Sequence, residues 1–466
     1  MVSKITQQLA DFAVNTKFED LPASIVEETK HVIMEHIGCG LGGLSTDKGK
    51  LAAALGKKLG GPPESSILGL GDKVSPSTAA LTNGELMITL DYCDNMSFGH
   101  DGLFVIPPAL AIAESVGASG KDLILATAVG FEISSRLARA ARWHTITPEE
   151  VRKAISNPPK NKNAHSAFGG TAAAGKLLKL DSERMQHALG IVSRHIGTSL
   201  LTGRPSFKSM NKYVVPGWQN TGAVMSALLA EMGYLGETTA LDEPKQLDWD
   251  PEHITDSLGK SWIFNLQLHY KPYPCCGGFH SNLDCFYNIL EQNNLLPEEI
   301  EKVKIFGRDV MQAPLNAKKE IEGIYAAQFN QPYNFSLLAH RVRRGVEWVD
   351  PDTMHNPAIL AFMDKVTFDA DPDFIEKAQN ERFEDPRVRP GRVEVMARGK
   401  LFASEIKFRR GDTFTDLSWT QAEIVSKFQH NAERILTYGK IKRATQVLLD
   451  LERINQVSQL ISEITL

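Results

Sequence analysis

The chain has 466 residues, a net charge of −5, 42% hydrophobic and 23% charged residues, which suits two or three domains around a sizeable core. Its mild acidity supplies no basic stripe for nucleic acid, and its longest apolar run, "LFVIPPALAIA", carries two prolines and is too short to cross a bilayer. The five cysteines lack C-x-x-C spacing, which argues against an iron–sulfur cluster or a cysteine zinc site and fits a reduced, cytoplasmic setting; no leader is expected from the N-terminal residues.

The period is helical up to about residue 240. "LPASIVEETKHVIMEHIGCGLGG" has helical apolar spacing and stops at glycines, and "SPSTAALTNGELMITLDYCD" opens on a Ser–Pro start. The Ala- and Gly-rich segments "GKDLILATAVGFEISSRLARAARWH" and "AFGGTAAAGKLLKLDSERMQHALGIV" predict helices packed at close range. Between them, "TITPEEVRKAISNPPKNKNAHS" reads as a polar, lysine-rich loop or insertion over 145–167. After about residue 265 the period shifts to alternation in "EKVKIFGRDV", "DKVTFDADPD" and "RVEVMARGKLFASEIKF", as half-buried strands require, with "FHSNLDCFYNILEQNN" as a flanking helix. The tail from Trp419 returns to helical period. The fold class is therefore mainly α with an α+β part: a helical domain from both ends of the chain (1–264 and 410–466) with an inserted α+β lid (265–409).

Chemistry concentrates in four places. "LDYCDNMSFGHDG" brings Asp91, Asp94, His100 and Asp101 together; on a helix end Asp91 and Asp94 would share one face. The spacing matches no metal motif, so a satisfied polar loop and a proton-transfer site are the stronger readings, a histidine beside a carboxylate being tuned towards neutral pH. His144 follows a basic helix end, and His165 in "NAHSAFGG" is an equal candidate on spacing alone. Lys208 and Lys212 precede a Pro–Gly turn and a helix, a place suited to meeting an anion, although a solvated lysine is the commoner case. "YKPYPCCGGFHS" combines Lys271, two cysteines, a glycine pair and His280. Adjacent cysteines among apolar neighbours are more often buried and inert than nucleophilic.

In order, these segments resemble the MmgE/PrpD family, whose members include 2-methylcitrate dehydratase, cis-aconitate decarboxylase and iminodisuccinate epimerase. "LDYCDNMSFGHDG" is similar to the family's "LDFDDT…HPSG", "RWHTITPEE" to "R(F/W)HPT", "NKYVVPGWQNTG" to "KRLHPGRAA", "YKPYPCCGGFHS" to "FKPYPCC…H" and "AAQFNQPYNFSL" to "DAKFSLPYAVA". The resemblance implies catalytic roles for Asp91, His100, His144, Lys271 and Tyr333, and substrate contacts for Asp94, Asn95 and Lys212, with His165 the fallback for His144. Asn95 replaces a threonine, Cys93 an aspartate and Val215 a frequent histidine; Asn95, Val215 and the 145–167 insertion leave the substrate open, so 2-methylcitrate is not assigned. The implied protein is a homodimer without metal or organic cofactor, a dehydratase or decarboxylase of a small citrate- or aconitate-like acid. An epimerase of a dicarboxylate is the runner-up, and a non-catalytic carboxylate-binding homologue the third reading.

Overall fold

The computed structural model describes residues 4–94, 100–140, 164–195, 210, 215–243, 251–266, 268–307, 320–385 and 388–466. His144, Lys212 and Asn95 lie outside the described residues. The first half is helical, as the period requires: α1 (Ile5–Asn15), α2 (Ala23–Leu44), α3 (Asp47–Leu59), α4 (Pro76–Ile88), α5 (Gly102–Ser115), α6 (Gly120–Ala140), α7 (Ala164–Leu177), α8 (Ser182–Val192) and α9 (Pro216–Glu231). A two-residue β-pairing, β1 (Ser65–Ser66) with β2 (Lys73–Val74), precedes α4. The hydroxyl of Ser75 accepts the Thr78 amide, and Pro76 occupies the first turn, which starts α4 where the sequence places its start.

From Thr29 to Leu44, α2 buries nearly every side chain, as a central helix does, and α4, α5 and α6 pack on it. Small residues set the spacing of α6 and α7. A Cβ on Gly169 would sit 2.1 Å from Ser134 Oγ and 2.3 Å from the Gly130 carbonyl oxygen, so only a bare backbone fits the crossing. The loop expected over 145–167 ends sooner than its composition suggests, because α7 begins at Ala164 and takes His165 into its first turn.

The second half has an α+β layer. Its sheet runs β4–β3–β5–β6, formed by β3 (Ile300–Phe306), β4 (Val366–Asp369), β5 (Gly391–Ala397) and β6 (Lys400–Ile406), with β3/β4 parallel and the other pairs antiparallel. Val393, Val395 and Ala397 alternate inward beneath α10 (His280–Asn293). The stretch "RVEVMARGKLFASEIKF" reads as one alternating run, but it divides into a hairpin at Arg398–Gly399. Both residues have positive φ, 52° and 66°, the conformation of a tight two-residue turn. α11 (Gln331–Ala339) carries Tyr333 and is capped by Asn330, whose side chain accepts the Tyr333 amide at 3.0 Å. The tail helices α12 (Gln421–Ala432) and α13 (Tyr438–Leu449) return to the helical half, where α12 lies along α2. Thr420 and Glu423 form a reciprocal capping box at the start of α12. Among the described residues, no helix is long and apolar enough to cross a membrane.

Candidate active site

α4 ends at Ile88, and three residues later Asp91 adopts φ 49°, a left-handed conformation that an aspartate accepts more readily than most side chains. This turn separates the two aspartates that helical spacing would have put on one face. The Asp91 carboxylate goes to Lys271: Nζ donates to Asp91 Oδ1 at 2.5 Å, to the Asp91 carbonyl at 2.9 Å and to the Cys275 carbonyl at 3.3 Å. Both side chains are buried, so this is an ion pair out of water, held by hydrogen bonds on each side.

The Asp94 carboxylate instead faces His36 on α2. Oδ1 lies 2.8 Å from His36 Nε2, close enough for an ion pair although the N–H is not aligned with the contact. His36 Nδ1 donates to the Val32 carbonyl at 2.8 Å, so protonation of Nε2 gives an imidazolium with acceptors on both nitrogens. Burial opposes that charge, but Asp94 outweighs it and holds the His36 pKa well above the ordinary value. Gly102 leaves the room: a Cβ there would fall 2.3 Å from the His36 ring and 2.6 Å from Asp94 Oδ1.

A third buried pair joins the two ends of the chain. Lys427 on α12 reaches Glu35 Oε1 at 2.6 Å, the Tyr92 carbonyl at 2.6 Å and the Lys271 carbonyl at 3.0 Å, and its ammonium sits 3.8 Å from the centre of the Tyr92 ring. The other oxygen of Glu35 accepts the Asp94 amide at 2.9 Å. Burial raises the Glu35 carboxyl while Lys427 opposes the rise; burial likewise works against the Lys427 ammonium, and Glu35 outweighs it to raise that pKa. Glu35, His36 and Asp94 offer ligand atoms within 4.8 Å of one another. Lys427 and His36 already balance the two carboxylates, so a cation entering there would have to displace an ammonium or a proton.

His100 sits on the same segment, buried, with Nδ1 3.3 Å from the Asp94 carbonyl oxygen. The next residue, Asp101, accepts a hydrogen bond from Ser166 Oγ at 2.7 Å and faces His165 Nε2 at 3.2 Å, so His165 has a carboxylate partner of its own. Tyr333 is fully buried and donates its hydroxyl to the Trp348 carbonyl at 3.0 Å; burial pushes its pKa far up, which keeps it protonated. Behind Lys271, His280 Nε2 lies 3.3 Å from the Cys275 carbonyl, and His280 Nδ1 lies 3.1 Å from His269 Nε2. Burial lowers the pKa of both, that of His269 to about 3, so this pair is uncharged near neutral pH. Cys275 is buried and Cys276 half-buried.

The structure thus joins Asp91 to Lys271 and sets His100 against the Asp94 backbone. Three members of the network, Glu35, His36 and Lys427, are absent from the sequence reading. The signal for the first two was a Glu–His pair inside the otherwise apolar run "VIMEHIGCG"; Lys427 carries none, because an isolated lysine in an amphipathic tail helix reads as solvated.

Residues 7–248 match the MmgE/PrpD N-terminal domain and residues 273–453 the MmgE/PrpD C-terminal domain. A cis-aconitate decarboxylase-like protein oryM of Aspergillus oryzae is 22% identical, over 99% of this chain and 97% of the relative. The cis-aconitate decarboxylase of Homo sapiens is 24% identical, over 99% and 94%. That of Aspergillus terreus is 25% identical over 62% of this chain and 60% of the relative. With both domain matches together spanning most of its length, the chain belongs to the MmgE/PrpD family.

Proposed function

We propose that the protein is a lyase acting on a small di- or tricarboxylic acid of the aconitate type, with decarboxylation its foremost reaction and dehydration the alternative. The observation that carries this reading is the buried Asp91–Lys271 pair on the segment bearing His100, in a chain similar over its full length to cis-aconitate decarboxylases. Decarboxylation breaks the bond to one carboxylate, releases carbon dioxide and leaves the electron pair on carbon. That pair must be delocalised and must then take up one proton. Fixed positive charge in a water-poor site lowers the barrier to the first step, and a histidine supplies the second.

In this reading His100 and His144 share the proton transfers, with His165 the substitute for His144. Lys212 and Lys271 hold substrate carboxylates. The three acceptors of Lys271 leave it one contact easily exchanged, the 3.3 Å bond to the Cys275 carbonyl, while Asp91 fixes the ammonium in place. Tyr333 stays protonated, so its hydroxyl can donate a hydrogen bond or a proton and is not a base. The Asp94 carboxylate is directed at His36 while its backbone carbonyl meets His100 Nδ1, and Asn95 helps select the substrate.

The test is incubation of the purified protein with a panel of polycarboxylates, including cis-aconitate and citrate, in deuterated water. Carbon dioxide release with one deuterium placed in the product supports decarboxylation, and loss of water supports dehydration. Exchange of deuterium into unreacted acid without net loss would replace the proposal with epimerisation. No change in any member of the panel refutes it.

A further inference from the structure

Tyr92 and Pro272, the chain neighbours of Asp91 and Lys271, line a cavity of about 470 Å³. Its walls carry five cationic side chains, Arg341, Arg343, Arg344, Arg410 and Lys427, against only two carboxylates, Glu291 and Glu423. Most of the cations have partners. Arg341 pairs with Glu291, Arg343 with Glu433 and Arg410 with Glu423, and Lys427 is held by Glu35. Arg344 differs. Among the described residues no carboxylate lies within ion-pair distance of it and no acceptor takes its N–H groups. Its guanidinium carbon lies instead 4.8 Å from the ring centre of Tyr273 and 4.5 Å from that of Tyr287.

Two aromatic rings hold this guanidinium by its π-system. Tyr273 is itself fixed, its hydroxyl donating to Asp284 at 2.8 Å and its ring stacked on Trp348. An arginine gripped in this way keeps its five N–H donors for something else, and a planar fork of donors suits a carboxylate or phosphate. The volume is that of a small-molecule site, too small to be a surface for a macromolecule.

We infer that this cavity is a binding site for a small dianion bearing carboxylate or phosphate groups, anchored by a bidentate contact to Arg344. The site is counted apart from the proposed catalytic groups because Asp91, His100, Lys271 and Tyr333 do not line it; only Tyr92 and Pro272, beside two of them in the chain, do. Its occupation need not involve turnover, so it stands or falls independently of the proposed lyase activity.

Calorimetric titration at fixed ionic strength tests the inference, with inorganic phosphate in one arm and succinate, a saturated dicarboxylate dianion, in the other. Saturable binding of at least one probe is expected, and the arm that responds identifies the chemical source. Arg344→Gln should weaken it roughly 10–100-fold, the loss of one charge-assisted fork. Arg344→Lys, which keeps the charge and loses the fork, should fall between. His100→Ala should bind as the wild type does. Thermal unfolding of each variant, compared with wild type without probe, verifies that a weakened variant is folded. Equal binding by wild type and Arg344→Gln, no saturable binding of either probe, or loss of binding in His100→Ala would each overturn the inference.

Discussion

Replacing Lys427 with methionine removes an ammonium from the buried junction of α2, the Tyr92 segment and the Lys271 segment, with little change in volume. It leaves Glu35 buried without its ammonium partner, its remaining polar contacts the Asp94 amide at Oε2 and the more distant His36 Nδ1, 3.8 Å from the same oxygen. Breaking a buried pair from one side costs about 3–5 kcal/mol, and the carbonyls of Tyr92 and Lys271 lose a donor as well. Part of the cost is relieved when Glu35 takes up a proton, which burial already favours. We therefore expect Lys427→Met to lose about 3–4 kcal/mol at neutral pH. The pH dependence has a definite sign. In the variant the folded state holds a proton on Glu35 that the unfolded chain, with its carboxyl near 4.5, has released. The penalty should grow as pH rises above that value, by at most about 1.4 kcal/mol per pH unit. Adding Glu35→Gln keeps an acceptor for the Asp94 amide and removes the stranded charge. The double variant should recover about 2 kcal/mol, a coupling typical of residues in contact. Urea denaturation followed by tryptophan fluorescence at pH 5, 6, 7 and 8 reads all of this. A cost below about 1 kcal/mol, independent of pH and additive with Glu35→Gln, would show that the pair does not hold the junction.

Gly102→Ala would drive a methyl group into the His36 ring and Asp94; a loss of about 1–3 kcal/mol in the same denaturation assay is expected, and an unchanged midpoint would refute the crowding. Asp91→Asn keeps a side chain suited to the left-handed turn but removes the charge facing Lys271, so the protein should fold while turnover of its acid substrate drops by about 10²-fold or more. Wild-type turnover in Asp91→Asn would take Asp91 out of the proposed chemistry. His269, held neutral down to about pH 3 by burial, with Arg409 and Lys271 adding to the effect and Asp412 opposing it, binds its proton only in the unfolded chain between 6.5 and that value. Stability should therefore fall as pH drops from 6.5 towards 3, and His269→Gln should make that fall shallower in urea midpoints measured from pH 7 to 4; identical slopes would refute the assignment.

Periodicity was enough to locate α2, α4 and the change to strands after residue 265, because each of those segments buries one face or all faces along a regular repeat. It failed where a single backbone conformation decides the outcome. Nothing in "LDYCD" announces that Asp91 takes positive φ, yet that one residue sends its carboxylate to Lys271 and leaves Asp94 to His36. The hairpin at Arg398–Gly399 was hidden for the same reason inside an unbroken alternation. Ion pairs between distant positions are harder still. Glu35 and Lys427 are separated by 392 residues, and neither has a local pattern that points to the other. Lys271 stood out through its dense neighbourhood and its place in the family resemblance, whereas Lys427 lay in a tail helix with ordinary amphipathic spacing.

The order of these pairs along the chain bears on how the candidate site forms. Glu35 comes from the N-terminal helical half, Asp91 and Asp94 from the segment after α4, Lys271 from the entry into the α+β part and Lys427 from the tail. Each charge stays costly to bury until its partner from another region arrives. Lys427 closes the set, because its ammonium holds Glu35 and the carbonyls of Tyr92 and Lys271 together. The stretch around Asp91 and Tyr92 is thereby tied to α2 and to the tail. The polar network adds little net stability over an apolar equivalent, but it makes alternative seatings of that segment expensive, since any shift strands a charge in the interior. A site meant to hold an ammonium and a histidine in fixed relation to a small acid needs that kind of restraint more than it needs extra binding energy.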